Sequence, residues 1–155
     1  MNEDTVANIA AYINNHPLAV LGTVNSQGTP HGTTLYAGSD DRLNVYFMTK
    51  RNTTKNDNIL QNPKVSMTFS GEDHQTTLQL TGTATEVSMP DKSAAAFQVL
   101  GGIRHQSNDF RLPISKIEAG PYIVYEVIVD HALLTEYEHS NRIDGVVRAE
   151  YNKGS

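Results

Sequence analysis

The chain has 155 residues, no cysteine and a formal net charge of −5. This length suits one domain with a sizeable core. The absence of cysteine excludes disulfides, thiolate metal sites and cysteine nucleophiles. The negative net charge argues against a general nucleic-acid binder or a protein that coats anionic membranes. With no apolar run near the roughly 20 residues of a membrane span and no signal-like N-terminus, we expect one cytoplasmic domain over residues 1–155, with no nucleic-acid or membrane partner.

The first third of the sequence predicts a helix followed by three strands. Residues 4–15 have apolar positions at helical spacing, and the helix should end before Pro17, because the residue that precedes a proline is disfavoured in the α region. Three apolar or alternating segments bounded by turn residues follow. These predicted strands are LAVLGTV (18–24), TPHGTTLYAG (29–38) and LNVYFMT (43–49).

The rest of the chain predicts two more helices and further strands. Residues 53–62 have the length of a short helix with Thr53 or Thr54 as its N-cap. Residues 88–102 have the start and stop residues that are typical of another helix. Residues 62–71 and 76–87 alternate like half-buried strands. Residues 103–119 show no clean period and are interpreted as a long loop or lid.

The C-terminal part begins with a long apolar strand over residues 121–137. This strand is apolar on both faces apart from Glu126, so it needs cover on both sides. One cover is the core, and the other could be a second subunit. Residues 142–151 form one more strand or a tail. Together these elements predict a mainly β fold, a six- to seven-stranded antiparallel barrel with peripheral helices.

A basic, hydroxyl-rich segment joins the third strand to the second helix. Residues 50–64 carry four basic side chains and one acidic side chain. Helix N-termini leave backbone N–H groups unpaired and carry a partial positive charge, so a phosphate suits this position. A solvated basic turn explains the same composition, and that alternative stays open. The chain contains neither of the glycine-rich phosphate loops GxxxxGK[ST] and GxGxxG.

The segment FMTKRNTTKNDNILQNPKVSMTF (47–69) resembles the strand–turn–helix–strand part of the FMN-binding split-barrel proteins related to pyridoxamine 5'-phosphate oxidase. The resemblance extends upstream through HPLAVLGTVNSQGTPHGTTLY and downstream through LQLTGTATEV, so it covers about residues 13–87. It implies a split β-barrel and a homodimer with FMN in grooves between the subunits. It also implies an FMN-dependent oxidoreductase that acts on a small molecule.

The resemblance also implies which residues bind the cofactor. Three come from the second strand beside the flavin ring, two from the end of the third strand, three from the phosphate-binding turn, and one from the polar face of the TG-containing strand. In chain order they are Thr33, Thr34, Leu35, Met48, Thr49, Thr53, Thr54, Lys55 and Thr77. No catalytic side chain is assigned, because a flavin itself carries the redox step.

Departures from the family pattern argue against a vitamin B6 phosphate as the substrate. True pyridoxamine-phosphate oxidases have an arginine at the position of Thr33 and a glutamine at that of Thr77. They also have a tryptophan-containing strand followed by an Arg-x-His-type element, whereas this chain has no tryptophan and its C-terminus does not match.

Three alternatives stay open. The chain could be a non-catalytic flavin-binding or stress-related module, or the same groove could hold the deazaflavin F420 or haem. Haem would need an axial ligand, for which His31 or His105 would serve. The six histidines are scattered without paired spacing, so no metal site is predicted. His105 lies with Arg104 and Arg111 in the predicted lid, where contact with solvent or with a substrate is possible.

Overall fold

The computed structural model describes residues 3–71, 75–87, 93–103, 122–138 and 141–154. Helices and strands follow the predicted order, with boundaries that differ by a few residues. The elements are α1 (Glu3–Asn15), β1 (Leu18–Val24), β2 (Pro30–Ser39), β3 (Asn44–Lys50), α2 (Thr54–Gln61), β4 (Lys64–Ser70), β5 (Thr76–Glu86), α3 (Ser93–Gly102), β6 (Tyr122–Glu138) and β7 (Asn141–Asn152).

The strands form a seven-stranded sheet in the order β3–β2–β1–β4–β5–β6–β7, and β3 also pairs with β6. This second pairing is antiparallel, runs from Asn44 opposite Ile128 to Lys50 opposite Tyr122, and closes all strands except β7 into a barrel. The predicted antiparallel barrel with peripheral helices is therefore confirmed. The segment left open as a strand or a tail is β7, which pairs with the second half of β6.

Alternation along the strands fills the barrel interior with apolar side chains. Inward-facing residues that are almost completely buried include Leu21, Val45, Phe47, Met67, Phe69, Leu78, Leu80 and Val127. Helix α1 covers one end of the barrel with Ile9 and Ile13, and its Tyr12 hydroxyl lies 2.9 Å from Thr76 Oγ1 at the start of β5. Helix α2 lies at the opposite end, where Asn58 Nδ2 donates to Thr23 Oγ1 at 3.1 Å.

Helix α3 covers the outer face of the first half of β6. Val124 packs there with Ala96 and Leu100 of the helix, and Gly38 of β2 gives the helix room, because a Cβ at that position would lie 2.7 Å from Val99 Cγ1. Helix α3 therefore covers the outer face of the first half of β6, where a second subunit was the cover suggested by the sequence.

Glu126 is buried on the same outer face. The Tyr46 hydroxyl donates to its Oε2 at 2.9 Å, and both residues are nearly inaccessible to solvent. Burial and the neighbouring carboxylate raise the pKa of Tyr46 well above its ordinary value. The hydroxyl therefore keeps its proton and can satisfy the polar group that interrupts an otherwise apolar strand.

Candidate functional site

The barrel is split between β2 and β3. Strand β2 pairs with β1 over its whole first part, from Val24 opposite Pro30 to Leu18 opposite Tyr36. Its pairing with β3 is limited to residues 37–39 opposite residues 45–47. Residues 30–36 of β2 and 48–50 of β3 therefore continue without pairing with each other. Backbone groups along such strand edges are available to other partners, so this split is a place where a ligand can lie between two strands.

The turn after β3 begins α2 with the predicted hydroxyl cap. Thr53 is the N-cap residue, with φ −136° and ψ 155°, and its side chain accepts a hydrogen bond from the backbone N–H of Asn56. The same hydroxyl donates to the carbonyl oxygen of Lys50 at 3.0 Å. Because that proton is used inside the turn, Thr53 stabilises the helix start. Of the three residues from Thr53 to Lys55, only Thr54 and Lys55 keep side-chain donors for a ligand.

Thr54 and Lys55 open the helix with unpaired donors. Their backbone N–H groups have no acceptor among the residues that the structure describes, as expected for the first turn of a helix. Within the same residues, the Lys55 ammonium forms no ion pair or hydrogen bond, and partial burial lowers its pKa. A desolvated cation beside free amide groups favours the binding of an anion.

The predicted cofactor residues border the split, with one exception. Leu35 and Thr33 lie on the inner side of β2, because Thr33 is opposite the buried Leu21, whereas Thr34 is on the outer side, opposite the half-exposed Val20. The remaining residues of this group follow on β3 and in the turn, namely Met48, Thr49, Thr53, Thr54 and Lys55.

Thr77 is the exception. It lies on β5 between Ser70 of β4 and Thr135 of β6, and the strand order places β4 and β1 between it and β2. A single chain therefore does not bring Thr77 to the residues around the split.

Two polar residues that the sequence analysis did not assign to the site lie directly behind the turn. Asn56 of α2 donates through Nδ2 to the carbonyl oxygen of Arg51 at 2.7 Å, and the Tyr125 hydroxyl of β6 donates to Asn56 Oδ1. Tyr125 belongs to the hydrophobic core of the barrel. The signal that was available for Asn56 is its position three residues before Ile59, on the buried face of a short amphipathic helix.

Other predicted features lie on the surface or outside the described residues. His31 is exposed at the edge of β2, and His131 lies 3.0 Å from Glu150. The described residues contain no group of three or more His, Asp or Glu side chains that could hold a metal ion. Beyond Ile103, the predicted lid falls outside these residues, and so do His74, His105 and His139. No helix in the described ranges is long and apolar enough to cross a membrane.

The fold and the site together define a class of protein, a split β-barrel with an anion-favouring turn beside the split. The family model for pyridoxamine 5'-phosphate oxidase matches residues 5–135. Because this match covers most of the sequence and the barrel strands up to β6, the chain belongs to that family. A search of curated proteins found no match.

Several solved structures have a similar fold. One is a pyridoxamine 5'-phosphate oxidase-related, FMN-binding protein from Nostoc punctiforme (18% identity, 83% of this chain and 82% of that chain, TM-score 0.60). Another is an F420 reductase (19% identity, 77% and 92%, TM-score 0.60). A third is the general stress protein 26 from Bacillus anthracis (17% identity, 85% and 92%, TM-score 0.61). These similarities concern the fold.

Proposed function

We propose that this chain is a single-domain, homodimeric flavoprotein of the cytoplasm that binds FMN at the split and carries out redox chemistry on a small molecule. The observation that carries the proposal is the start of α2, where Lys55 is partly buried without a counter-ion among the described residues, beside unpaired amide groups. Membership of the family supports a flavin or deazaflavin as the ligand.

The turn supplies the donors for the phosphate in this proposal. Thr54 offers its N–H and hydroxyl, Lys55 offers its N–H and ammonium, and Thr53 holds the helix start in place through its cap. Charge-assisted hydrogen bonds of this kind are roughly twice as strong as neutral ones. The flavin ring would then lie along the split, against Thr33, Thr34 and Leu35 of β2 and against Met48 and Thr49 of β3.

When bound, FMN would supply the redox chemistry, and the chain's own residues would bind it, orient it and limit the access of water. Thr33, Thr77, the absence of tryptophan and the C-terminal sequence all depart from the pattern of true pyridoxamine-phosphate oxidases. The substrate that we propose is therefore a small molecule other than a vitamin B6 phosphate.

The outer face of the barrel supports a homodimer. Leu18 and Val20 of β1 are 49% and 46% exposed, and a row of polar residues on the neighbouring strands flanks Val20. A second copy packed on this face would cover both apolar side chains. Thr77 lies on the same outer face, so the dimer would allow the partner subunit's Thr77 to reach a cofactor at the split.

Substitution of Val20 by aspartate tests the dimer. Val20→Asp is expected to shift the protein towards monomers and to weaken FMN binding at the same time, because a charge in an apolar interface costs desolvation energy. Light scattering coupled to size-exclusion chromatography gives the mass. Leu60→Asp is the control, because Leu60 is 71% exposed on α2. A monomeric wild-type protein would contradict the dimer.

An absorption spectrum of the purified protein is the first test of the cofactor. Flavin bands near roughly 375 and 450 nm, or quenching of added FMN fluorescence, are expected for the proposed function. Bleaching of those bands by NADH or NADPH, with oxidation of the nucleotide, would then distinguish an enzyme from a non-catalytic binding module. A colourless protein that does not respond to added FMN would overturn the proposal.

F420 is a second candidate ligand, favoured by the similarity in fold to an F420 reductase. F420 has a flavin-like ring and a phosphate, so the same turn and split would serve it. Parallel titrations with FMN and F420 decide between them, since the preferred ligand binds at the lower concentration. Haem is less well supported, because His31, the one of its two predicted ligands that the structure describes, is exposed on the edge of β2. A Soret band would indicate haem.

The pH dependence of binding is a separate prediction. Partial burial lowers the pKa of Lys55, so its ammonium loses its proton at a lower pH than an ordinary lysine. FMN affinity is therefore expected to fall as the pH rises towards that pKa, measured by fluorescence titration. In Lys55→Arg the guanidinium stays charged, so the decline should be weaker. The same decline in both proteins would show that Lys55 does not bind the phosphate.

A further inference from the structure

A buried asparagine ties the turn between β3 and α2 to the barrel wall. Asn56 is 5% exposed and Tyr125 is 2% exposed. The Tyr125 hydroxyl donates to Asn56 Oδ1, and Asn56 Nδ2 donates to the carbonyl oxygen of Arg51 at 2.7 Å. The Asn56 backbone N–H donates to Thr53 Oγ1 at 3.4 Å. A single residue therefore connects the turn, the helix cap and strand β6.

These bonds fix the direction in which the peptide groups of the turn point. In a planar trans peptide, the C=O and the following N–H point in opposite directions. Asn56 holds the Arg51 carbonyl on the buried side, so the N–H of Asn52 points away from it. No described residue accepts a hydrogen bond from that N–H. The buried anchor therefore turns the N–H of Asn52 outwards, to the same helix start that carries the unpaired N–H groups of Thr54 and Lys55.

The anchor is rigid on its barrel side. The ring of Tyr125 packs against Phe47 of β3, with 5.4 Å between the ring centroids. Burial is the main cause that raises the pKa of Tyr125, so its hydroxyl keeps the proton that it donates. The oxygen and the nitrogen of the Asn56 side-chain amide both form hydrogen bonds within the protein, and the Asn56 and Tyr125 side chains are buried. Direct contact of Asn56 or Tyr125 with a bound anion is therefore excluded in this conformation.

We propose that Asn56 and Tyr125 are positioning residues for anion binding, holding the turn so that the backbone donors of Asn52, Thr54 and Lys55 face the ligand. This inference rests on the proposed function, because it assigns the phosphate to that turn. It goes beyond that function by placing a determinant of affinity in the barrel interior. The hydroxyl on β6 acts through Asn56, with no contact of its own to the ligand.

Tyr125→Phe is the decisive variant, because it removes only the hydroxyl and keeps the ring against Phe47. We expect its affinity for FMN to fall about tenfold, the effect of one lost hydrogen bond, while its affinity for riboflavin, which lacks the phosphate, stays unchanged. Tyr12→Phe is the matched control, because it removes a hydrogen-bonded hydroxyl at the opposite end of the barrel. Equal losses for FMN and riboflavin in Tyr125→Phe would indicate a merely structural role and overturn the inference.

A titration with inorganic phosphate separates this inference from the proposed function. Backbone amide NMR signals of Asn52, Thr54 and Lys55 are expected to shift with phosphate in the wild type and much less in Tyr125→Phe. If they shift in this way but FMN does not bind, the proposed function fails and the positioning role stands. If both proteins respond equally, or the wild type does not respond, the positioning role is overturned. Asn56→Ala removes both side-chain bonds and should show the larger loss; if it does not fold, Tyr125→Phe still decides.

Discussion

Substitution of Lys55 by alanine is expected to weaken FMN binding by about 1.5–3 kcal/mol, or roughly ten- to hundredfold, because hydrogen bonds to charged groups contribute about this much. Lys55 is the cation at the start of α2, and burial lowers its pKa. A bound phosphate would supply a negative charge to the Lys55 ammonium, which has no counter-ion among the described residues. Fluorescence titration of the apoprotein with FMN measures the change.

The control for this prediction is another lysine of the same chain. Lys153 is an exposed residue near the end of β7, and its ammonium lies 3.9 Å from an Asp130 carboxylate oxygen, at the outer limit of an ion pair. Lys153→Ala removes the same charge far from the turn, so FMN affinity should stay unchanged. If Lys55→Ala also leaves the affinity unchanged, the phosphate does not bind at this helix start.

Substitution of Phe47 by alanine is expected to lower the free energy of unfolding by about 3–5 kcal/mol, the usual cost of removing a large aromatic side chain from a core. Phe47 is completely buried and packs against Tyr125 of β6. It lies where β3 pairs with both β2 and β6, so the cavity would open at the closure of the barrel. Urea denaturation followed by circular dichroism measures the loss.

A surface leucine provides the comparison for this core variant. Leu60 is 71% exposed on α2, and Leu60→Ala is expected to change stability by no more than about 0.5 kcal/mol. Similar stability losses in the two variants would mean that Phe47 does not have the packing described above. Because Phe47 supports Tyr125, the core variant should also weaken FMN binding if the positioning role of Tyr125 is correct.

Local patterns in the sequence were enough to predict most elements and the cap at the start of α2. Alternation along β4 and β5 identified both strands and their buried faces, because side chains in a strand point alternately to opposite sides. Thr53 was one of the two residues predicted as the N-cap of α2. A cap can be predicted locally because its partner, here the N–H of Asn56, is three residues away in the chain. The start of α2 was therefore recognisable from the sequence alone as a candidate site for an anion.

The tertiary structure decided what depends on distant residues. The sequence did not predict that β2 and β3 pair over three residue pairs and then separate, because strand register is set by packing across the whole barrel. The sequence also left open a second subunit as the outer cover of β6, whereas α3 covers the first half of that strand through the space that Gly38 leaves.

Some features of the candidate site depend on neighbouring residues, and others depend on the tertiary structure. Its charge, its cap and the start of its helix are determined by the sequence itself, because they involve neighbouring residues. Its anchoring depends on Tyr125, which is 69 residues from Asn56 along the chain, and the position of Thr77 relative to the split depends on strand order. No local pattern encodes a contact between groups so far apart in sequence; only closure of the barrel brings them together.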